Sequence, residues 1–197
     1  YKALVDQVWW TYLDVSLNSW ERINPFDLPL ALKDKETRPG DLLRDAIISL
    51  LWLMNLMLWK LSSLEQSVME KAIITTYNLK WLTLEDDNVE WKEIPTMKDL
   101  YSVLETMDWA NDLVHRLEKY TTWIFSWVFS ELTNIDLKEW LQVFSVRDLD
   151  DILRPTAMYV ILNYIWNRVR SSNKKRILVI DEAWNIMQHD DSAKFLF

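Results

Sequence analysis

The sequence predicts an α/β fold in which an all-helical segment interrupts a mostly parallel sheet. Short β-branched and aromatic runs at residues 11–16 and 141–146 are typical of strands. The continuously apolar run 176–180 has the composition of a strand that is buried on both faces of a parallel sheet. Between residues 39 and 122 the sequence shows helical patterns, interrupted by an acidic, loop-like stretch at 85–93. Two β-rich ends around a helical middle therefore define the expected architecture.

The helical segment divides into four helices at residues that favour helix termini. Asp41 is a suitable N-cap for the first helix, and Ser62 with Glu65 forms a capping box at the start of the second. Thr96 precedes the third helix, with Asp99 at its third position. The four predicted spans are 41–61, 63–79, 97–107 and 108–122.

The last third of the chain returns to alternating strand and helix. The strand at 141–146 is followed by a helix at 156–170, with Pro155 in its first turn, where the missing N–H costs little. The strand at 176–180 then completes a β-α-β unit, whose crossover is almost always right-handed. The three expected parts are 1–38, the first part of the α/β core, 39–122, the helical insertion, and 123–197, the second part of the core.

Charge and cysteine content exclude several classes of function. The 197 residues carry a net charge of −8 and include no cysteine, which excludes disulfides, thiolate zinc sites and cysteine nucleophiles. An acidic chain is a poor autonomous binder of nucleic acid, because that affinity comes from cations placed against phosphates. We favour a helix-dipole role over a phosphate site for the basic cluster at 168–176. The apolar run 46–59 is shorter than the roughly 18–20 residues that span a bilayer.

The two histidines give little indication of a metal site. His115 lies among charged neighbours on the fourth predicted helix, with no second ligand at metal spacing, so we expect it at the surface. His189 precedes Asp190 and Asp191, which leaves a metal site open as an alternative. We favour a polar loop there.

Glycine and tryptophan depart furthest from ordinary composition. The chain has one Gly and thirteen Trp, whereas a chain of this length normally carries about 14 glycines. Trp20, Trp81 and Trp109 follow turn or helix-end positions where glycine is common. We interpret many of these tryptophans as standing where a parent sequence had glycine. The alternative is a naturally Trp-rich protein that binds sugars or membrane interfaces.

Residues 177–182 carry the pattern with the most chemistry. Four apolar residues run into Asp181 and Glu182, which is the Walker B pattern of P-loop NTPases. An Asp at the carboxyl end of a parallel strand can hold Mg²⁺, usually through water, and Mg²⁺ neutralises charge on the β- and γ-phosphates of ATP. The adjacent Glu182 can orient or deprotonate the attacking water. Two acids after an apolar run also occur at helix N-termini, so the pair alone leaves a structural role open.

The Asp-Glu-Ala-Trp tetrad at 181–184 resembles the Walker B form of the large cytoplasmic ATPases of conjugation and type IV secretion systems, the TraC (VirB-four) class. Other stretches match in the family's order. Ile-Asn-Pro-Phe-Asp at 23–27 follows the first strand, and 123–129 resembles the family's Gly-x-x-Ser-Gly-x-Phe with both glycines written as Trp. Arg-Asp-Leu at 147–149 ends the strand at 141–146. The resemblance covers essentially the whole chain, and the tetrad is its most specific motif.

The same resemblance sorts the tryptophans. Trp166 and Trp184 fit the family as Trp, which leaves the other eleven of the thirteen as candidates for former glycines and argues against a sugar binder. An indole at a glycine position strains the backbone or overpacks the core. We therefore expect these eleven to be destabilising, so that a chain of this sequence folds poorly. The most damaging would be Trp9, Trp10, Trp123 and Trp127.

The resemblance implies a RecA-like P-loop NTPase core with a helical insertion, in an ATP-hydrolysing motor domain that powers type IV secretion, conjugative transfer or pilus assembly. It implies ATP and Mg²⁺ as cofactors, Asp181 as the Walker B and Mg²⁺ residue, and Glu182 as the catalytic residue. It further implies other secretion-complex subunits as partners, a hexameric homo-oligomer, DNA in the transfer pathway, and a cytoplasmic location at the inner membrane. No Gly-x-x-x-x-Gly-Lys-Ser/Thr occurs in the chain. The resemblance places that P-loop before Tyr1, so we expect this fragment to be inactive alone.

Two other functions remain open from the sequence. A DNA-translocating ATPase of the FtsK/HerA kind would share the Walker B pattern, and stimulation by DNA would distinguish it. A non-catalytic interaction module would dock a partner on residues 39–122 and use the Asp181–Glu182 pair structurally. A full-length sequence without a P-loop would favour that module.

Overall fold

The computed structural model describes residues 11–16, 19–29, 39–85, 92–121, 126–137, 141–170 and 175–181. In chain order its elements are β1 (Thr11–Asp14), α1 (Pro39–Met57), α2 (Ser63–Leu79), α3 (Met97–Glu105), α4 (Asn111–Thr121), α5 (Ser126–Phe129), β2 (Gln142–Ser145) and α6 (Arg154–Arg170). Helices thus accompany a small parallel sheet, which confirms the expected α/β class.

The two strands pair in parallel although the helices α1 to α5 separate them in sequence. The register aligns Thr11 with Gln142 and Asp14 with Ser145. The N–H of Val15 continues the ladder by donating to the Ser145 carbonyl at 2.9 Å. Both strands lie where the sequence predicts them, each two residues shorter than expected. After β1 the chain therefore forms the helices α1 to α5 and then returns to the sheet, where β2 runs parallel to β1.

The third predicted strand, at 176–180, is wrong. Residues 175–181 belong to no sheet in the structure, and Ile177 and Val179 are 91% and 84% exposed. An apolar strand needs neighbours that satisfy its backbone groups and elements that cover its faces. In the described part of the chain, β1 and β2 pair with each other and not with this segment. Of the predicted β-α-β unit, the structure therefore contains the first strand and the helix.

Helices α1 to α4 form the helical block, in which α2 packs on α1 and α3, and α3 packs on α4. The buried positions in the second half of α1 are Leu50, Leu53, Met54 and Met57. Their spacing of i, i+3, i+4 and i+7 places all four on one face of the helix. This stripe explains why the segment folds as a helix that enters the core.

The four predicted helices are confirmed, although their ends move. α1 begins two residues before Asp41 and ends four residues earlier than predicted, because Trp59 and Lys60 have φ values of 54° and 65°. α4 begins three residues later than predicted, just after Trp109, whose φ is 68°. A residue with positive φ cannot continue a right-handed helix.

The predicted capping box at Ser62 and Glu65 forms, and Thr96 with Asp99 makes the same arrangement at the start of α3. The Ser62 N–H donates to Glu65 Oε2 at 2.7 Å, and the Glu65 N–H donates to Ser62 Oγ at 3.3 Å. Hydrogen bonds that the Glu65 carboxylate accepts from Ser62, first from its side chain and then from its backbone, lower the pKa of the Glu65 carboxyl. At α3, Asp99 Oδ2 accepts from the N–H and the hydroxyl of Thr96 at 2.7 and 2.8 Å. Both helix starts are thus fixed by local sequence.

Arg116 joins three helices of the block. Its Nη1 lies 2.5 Å from Glu65 Oε1 at the start of α2 and 3.1 Å from Asp112 Oδ2 on its own helix. Its Nη2 donates to the Leu58 carbonyl, which follows the last residue of α1. The last carbonyls of a helix lack helical partners, so the guanidinium satisfies one of them.

Helix α6, which follows β2 in the chain, packs against the helical block. It packs on α1, and the Tyr159 hydroxyl donates to the Ser49 carbonyl at 2.9 Å. Pro155 lies in its first turn, and Arg168 with Arg170 in its last turn, as predicted.

His115, on α4, is exposed, also as predicted. No helix in the described ranges is long and apolar enough to cross a membrane.

Three tryptophans at helix ends adopt the backbone conformation that favours glycine. Trp59, Trp81 and Trp109 have φ values of 54°, 62° and 68° and are 70%, 81% and 83% exposed. After α2, the N–H groups of Trp81 and Leu82 donate to the carbonyls of Asn78 and Tyr77, both at 3.0 Å. This is the Schellman pattern, in which glycine usually occupies the position of Trp81. Strain at these sites therefore lies in the backbone, since the indoles are exposed.

The tryptophans expected to overpack the core lie outside what the structure describes. Residues 9, 10 and 123 are not among the described ranges, nor is the side chain of Trp127. The expected damage at these four positions stays a prediction, as does the replacement of glycines in a parent sequence.

We expect Trp81→Gly to raise the free energy of unfolding by about 1 kcal/mol, because it relieves a residue with a Cβ at positive φ. The matched control is Trp52→Gly within α1, which should lower the free energy of unfolding by about 1 kcal/mol through the low helix propensity of glycine. Urea unfolding followed by circular dichroism measures both. Destabilisation by Trp81→Gly would contradict the assignment of strain.

The chain's one glycine, Gly40, lies in the first turn of α1 against the backbone of the segment after α2. A Cβ at Gly40 would lie 2.1 Å from the Leu84 carbonyl oxygen. Backbone atoms cannot swing aside as the end of a flexible side chain can. The close approach of these two segments therefore requires glycine.

We expect Gly40→Ala to lower the free energy of unfolding by about 2 kcal/mol, because α1 and the Leu84 segment must separate to admit a methyl group. Ser67→Ala, at an exposed site in α2, serves as the control and should change stability by less than about 0.5 kcal/mol. Thermal unfolding compares the two variants. Equal stability of the two variants would show that Gly40 and the Leu84 carbonyl lie farther apart than in the structure.

Candidate functional site

Of the predicted Mg²⁺ residue Asp181 and the predicted catalytic residue Glu182, the structure describes only Asp181, at the end of its last described range. Asp181 is exposed and directly follows the segment 175–180, which belongs to no helix or strand, whereas Glu182 lies outside the described residues. An exposed carboxylate is a hard oxygen donor, which fits Mg²⁺ held through water. No cluster of three or more His, Cys, Asp or Glu side chains suited to a metal occurs in the described ranges. A magnesium–nucleotide site needs only one or two protein carboxylates, because phosphates and water supply the rest.

The carboxyl ends of the two strands form the sheet edge at which open α/β proteins bind ligands. Asp14 and Ser145 face each other in register at this edge. The chain after β2 turns there, and Arg147 N–H donates to Ser145 Oγ at 3.5 Å. Arg147 and Asp148 are exposed. Asp14 is not among the predicted site residues, although an acid at the end of a parallel strand is a sequence signal for this edge.

A second group of polar side chains surrounds the turn at residues 24–27, which we name the Asn24 turn. The Asp27 N–H donates to the Asn24 carbonyl at 3.1 Å and closes the turn, and Asn24 Oδ1 accepts from the Phe26 N–H at 3.1 Å. An Asn followed by Pro favours this conformation because its side chain replaces a backbone acceptor. The local sequence therefore specifies the turn before any long-range contact forms.

Long-range hydrogen bonds then tie the Asn24 turn to other elements. Asn24 Nδ2 donates to the Pro95 carbonyl at 2.8 Å, and the Asn24 N–H donates to Thr133 Oγ1 at 2.6 Å. The Thr133 hydroxyl in turn donates to Asp27 Oδ2 at 2.6 Å. Thr133 thus bridges both ends of the turn.

The carboxyl group of Asp27 is the perturbed acid of this region. Burial raises its pKa above the ordinary 3.8, although the Thr133 hydrogen bond and the Arg168 guanidinium both act to lower it. Loss of hydration therefore outweighs the favourable contacts. Arg168 itself lies over the Tyr164 ring, 5.5 Å from its centroid, and its carbonyl accepts from Arg176 Nη1 at 3.1 Å.

A cavity of about 670 Å³ adjoins Asp27. The Asn24 turn, α1, the loops at 92–94 and 132–135, and α6 form its walls. Cavities of roughly 300–1,000 Å³ with a few polar groups are typical of ligand sites, and they often lie where two structural units meet. Sequence reasoning identified Asn24 and Asp27 as part of a motif without assigning a site, and it missed Thr133 entirely.

Asp27 predicts a pH dependence of stability. A raised pKa in the folded state favours the protonated carboxyl, so this contribution is present below pH 3.8 and is lost as pH rises through the folded-state pKa. Asp27→Asn cannot titrate and keeps an acceptor for Thr133. We expect the free energy of unfolding of the variant, relative to the parent chain, to increase as pH rises from 3.8 to 7. Urea unfolding at a series of pH values measures the difference, and a constant difference would contradict the burial of this carboxyl.

With the geometry described, the chain can be compared with known proteins. No protein-family model matches it, and no curated protein matches it. Among solved structures, VirB4 of Thermoanaerobacter pseudethanolicus is similar, with a TM-score of 0.78 and 21% identity, over 100% of this chain and 79% of that chain. At this identity the likeness shows the fold. The described α/β chain therefore has a VirB4-like fold.

Proposed function

We propose that this chain is part of an ATP-hydrolysing motor domain that powers type IV secretion, conjugative transfer or pilus assembly. The observation that carries the proposal is a VirB4-like fold along the whole chain. The Asp-Glu-Ala-Trp tetrad at 181–184 supports it from the sequence. Under this proposal the chain is a RecA-like core in two parts, 1–38 and 123–197, with 39–122 as the helical insertion.

Asp181 would hold Mg²⁺, and Glu182 would act on the attacking water. Bound Mg²⁺ supplies positive charge that offsets the charge developing on the ATP phosphates. Asp181 is open to solvent, as a residue that meets a hydrated cation must be. A glutamate next to it can accept the proton of the attacking water, a role worth about 10²–10⁴-fold in rate. The P-loop that holds the phosphates would come from a longer protein, since the motif is absent from this chain.

The partners would be other subunits of a secretion complex, with further copies of the chain in a homo-oligomer, a hexamer under the resemblance. The location would be cytoplasmic and peripheral to the inner membrane, with DNA as a possible cargo of the transfer pathway. The helical block would offer docking surfaces, since its helices present exposed faces opposite the core.

Two other functions make different predictions. A DNA-translocating ATPase of the FtsK/HerA kind would hydrolyse ATP faster with DNA present. A non-catalytic interaction module would bind a partner through the helical block and show no turnover in the longer protein. The exposure of the 175–181 segment is compatible with the module, because an assembled Walker B strand is buried.

We expect Glu182→Gln, in the longer protein that carries the P-loop, to lower the rate of ATP hydrolysis by about 10²–10⁴-fold. The affinity for ATP should change little, because the amide keeps the size of the side chain. Steady-state phosphate release and equilibrium nucleotide binding measure the two effects.

Glu105→Gln, an exposed glutamate of α3, is the matched control and should leave hydrolysis unchanged. Unchanged hydrolysis in Glu182→Gln would reject the catalytic role. Absence of turnover in the unsubstituted longer protein would favour the interaction module.

A further inference from the structure

Helix α6 contributes one wall of the cavity beside the Asn24 turn. Val160, Asn163, Tyr164 and Asn167 all line the cavity, and their spacing of i, i+3, i+4 and i+7 places them on one face of the helix. Asn163 and Asn167 are half-buried and are neighbours on this face, because they lie one helical turn apart. Two carboxamides therefore lie next to each other on the α6 wall.

These two carboxamides make fewer contacts than comparable polar groups of the same lining. Asn24 donates to one backbone group at 2.8 Å and accepts from another at 3.1 Å, and the Tyr164 hydroxyl donates to a backbone carbonyl at 2.8 Å. In the described part of the chain, the side-chain amides of Asn163 and Asn167 take part in no hydrogen bond. Each amide has two N–H donors and one carbonyl acceptor. The α6 wall thus has hydrogen-bonding capacity that the fold does not use.

The charged side chains of the described lining balance one another. Its acids are Asp27 and Glu93, and its bases are Lys92 and Arg168. The Oε2 of Glu93 lies 3.2 Å from Lys80 Nζ, and Lys92 donates to a backbone carbonyl. The positive charge of Arg168 acts favourably on the Asp27 carboxylate. A ligand with a net charge would find no unpaired charge among these groups to offset its loss of hydration, so the lining favours an uncharged ligand.

Aliphatic side chains form another part of the wall. Leu50 and Leu53 of α1 and Ile94 line the cavity, and they offer contact area without hydrogen bonds. The cavity volume of about 670 Å³ lies within the roughly 300–1,000 Å³ that is typical of small-molecule sites. The occupant that these walls fit is therefore a small molecule with apolar faces and one polar edge.

We propose that this cavity binds an uncharged planar heterocycle in which a ring N–H lies beside a ring carbonyl, with that edge on Asn163 and Asn167 and its faces against Leu50 and Leu53. A carboxamide can pair with such an edge through two parallel hydrogen bonds, one donated and one accepted, as asparagine pairs with the neighbouring donor and acceptor of adenine. Lactams and several nucleobases share this edge.

The proposed binding goes beyond the ATPase function and concerns a different site. Asp181 is not part of the described lining, and the test uses no ATP. A failure here leaves the ATPase proposal unaffected, and the reverse also holds.

The experiment is a calorimetric titration of the chain with isoquinolin-1(2H)-one and with its N-methyl derivative, which keeps the ring system and lacks the N–H. We expect the N–H compound to bind about tenfold more tightly, because the derivative leaves one hydrogen bond of the amide pair unmade. Equal binding of the two compounds, or binding of neither, overturns the proposal.

Substitution of the two asparagines tests whether they cause this preference. Asn163→Leu and Asn167→Leu nearly keep the size of the side chain and remove its polar groups, so the double variant should bind both compounds equally. Asn78→Leu, at an exposed site of α2, is the matched control and should keep the preference. Circular dichroism reports whether each variant folds.

A preference that persists in the folded double variant overturns the assignment to Asn163 and Asn167. If the double variant does not fold, the two single variants decide the question, because each should reduce the preference.

Hypoxanthine and inosine monophosphate separate the two possible sources of the polar edge, a free heterocycle and the base of a nucleotide. Both carry the N–H beside the carbonyl, and only the nucleotide carries a charged phosphate. We expect hypoxanthine to bind at least about tenfold more tightly, because the lining has no unpaired cation for the phosphate. Tighter binding of inosine monophosphate overturns the assignment to an uncharged ligand.

Discussion

The attachment of the Asn24 turn to the helical block is the interaction on which the arrangement of the sheet and the helices depends. Phe26 is fully buried, its ring lies 5.6 Å from that of Tyr77, and its carbonyl accepts from the Tyr77 hydroxyl at 2.9 Å. Burial raises the pKa of Tyr77 well above its ordinary value, so this hydroxyl stays a donor. A buried polar group without its partner costs about 1–3 kcal/mol. The turn can therefore occupy one position against α2, and the chain after β1 is held there.

That attachment also explains why a cavity exists next to Asp27. The Asn24 turn is held by hydrogen bonds to Pro95 and Thr133, which fix backbone and amide groups at set distances. Apolar packing would instead pull the surfaces together until the space was filled. Around Asp27 the directional contacts hold the walls of the cavity in place, and a carboxyl group remains at its border. The contacts that stabilise this part of the molecule therefore also maintain the cavity.

The features that sequence predicted well are those whose causes are close together along the chain. The Ser62–Glu65 capping box joins residues three positions apart, and the apolar stripe of α1 repeats within two helical turns. The contact between Thr133 and Asp27 spans 106 residues, and no local pattern marks it. The error at 176–180 has a related cause. Four apolar residues predict a buried strand only if partner strands are present, and their presence is a property of the whole sheet rather than of the segment.

The strained tryptophans show which force sets the backbone at a helix end. Leu82, directly after Trp81, is fully buried, and burying a leucine contributes about 1.5–3 kcal/mol. The left-handed conformation of a residue with a Cβ costs roughly 1–2 kcal/mol. Burial of Leu82, together with the two Schellman hydrogen bonds, therefore outweighs the strain. Trp81 accordingly adopts the left-handed conformation that glycine usually occupies. Trp52 differs, because it lies within α1 and needs no such conformation. The backbone at Trp59, Trp81 and Trp109 thus has the conformation that favours glycine, whereas the backbone at Trp52 does not require it.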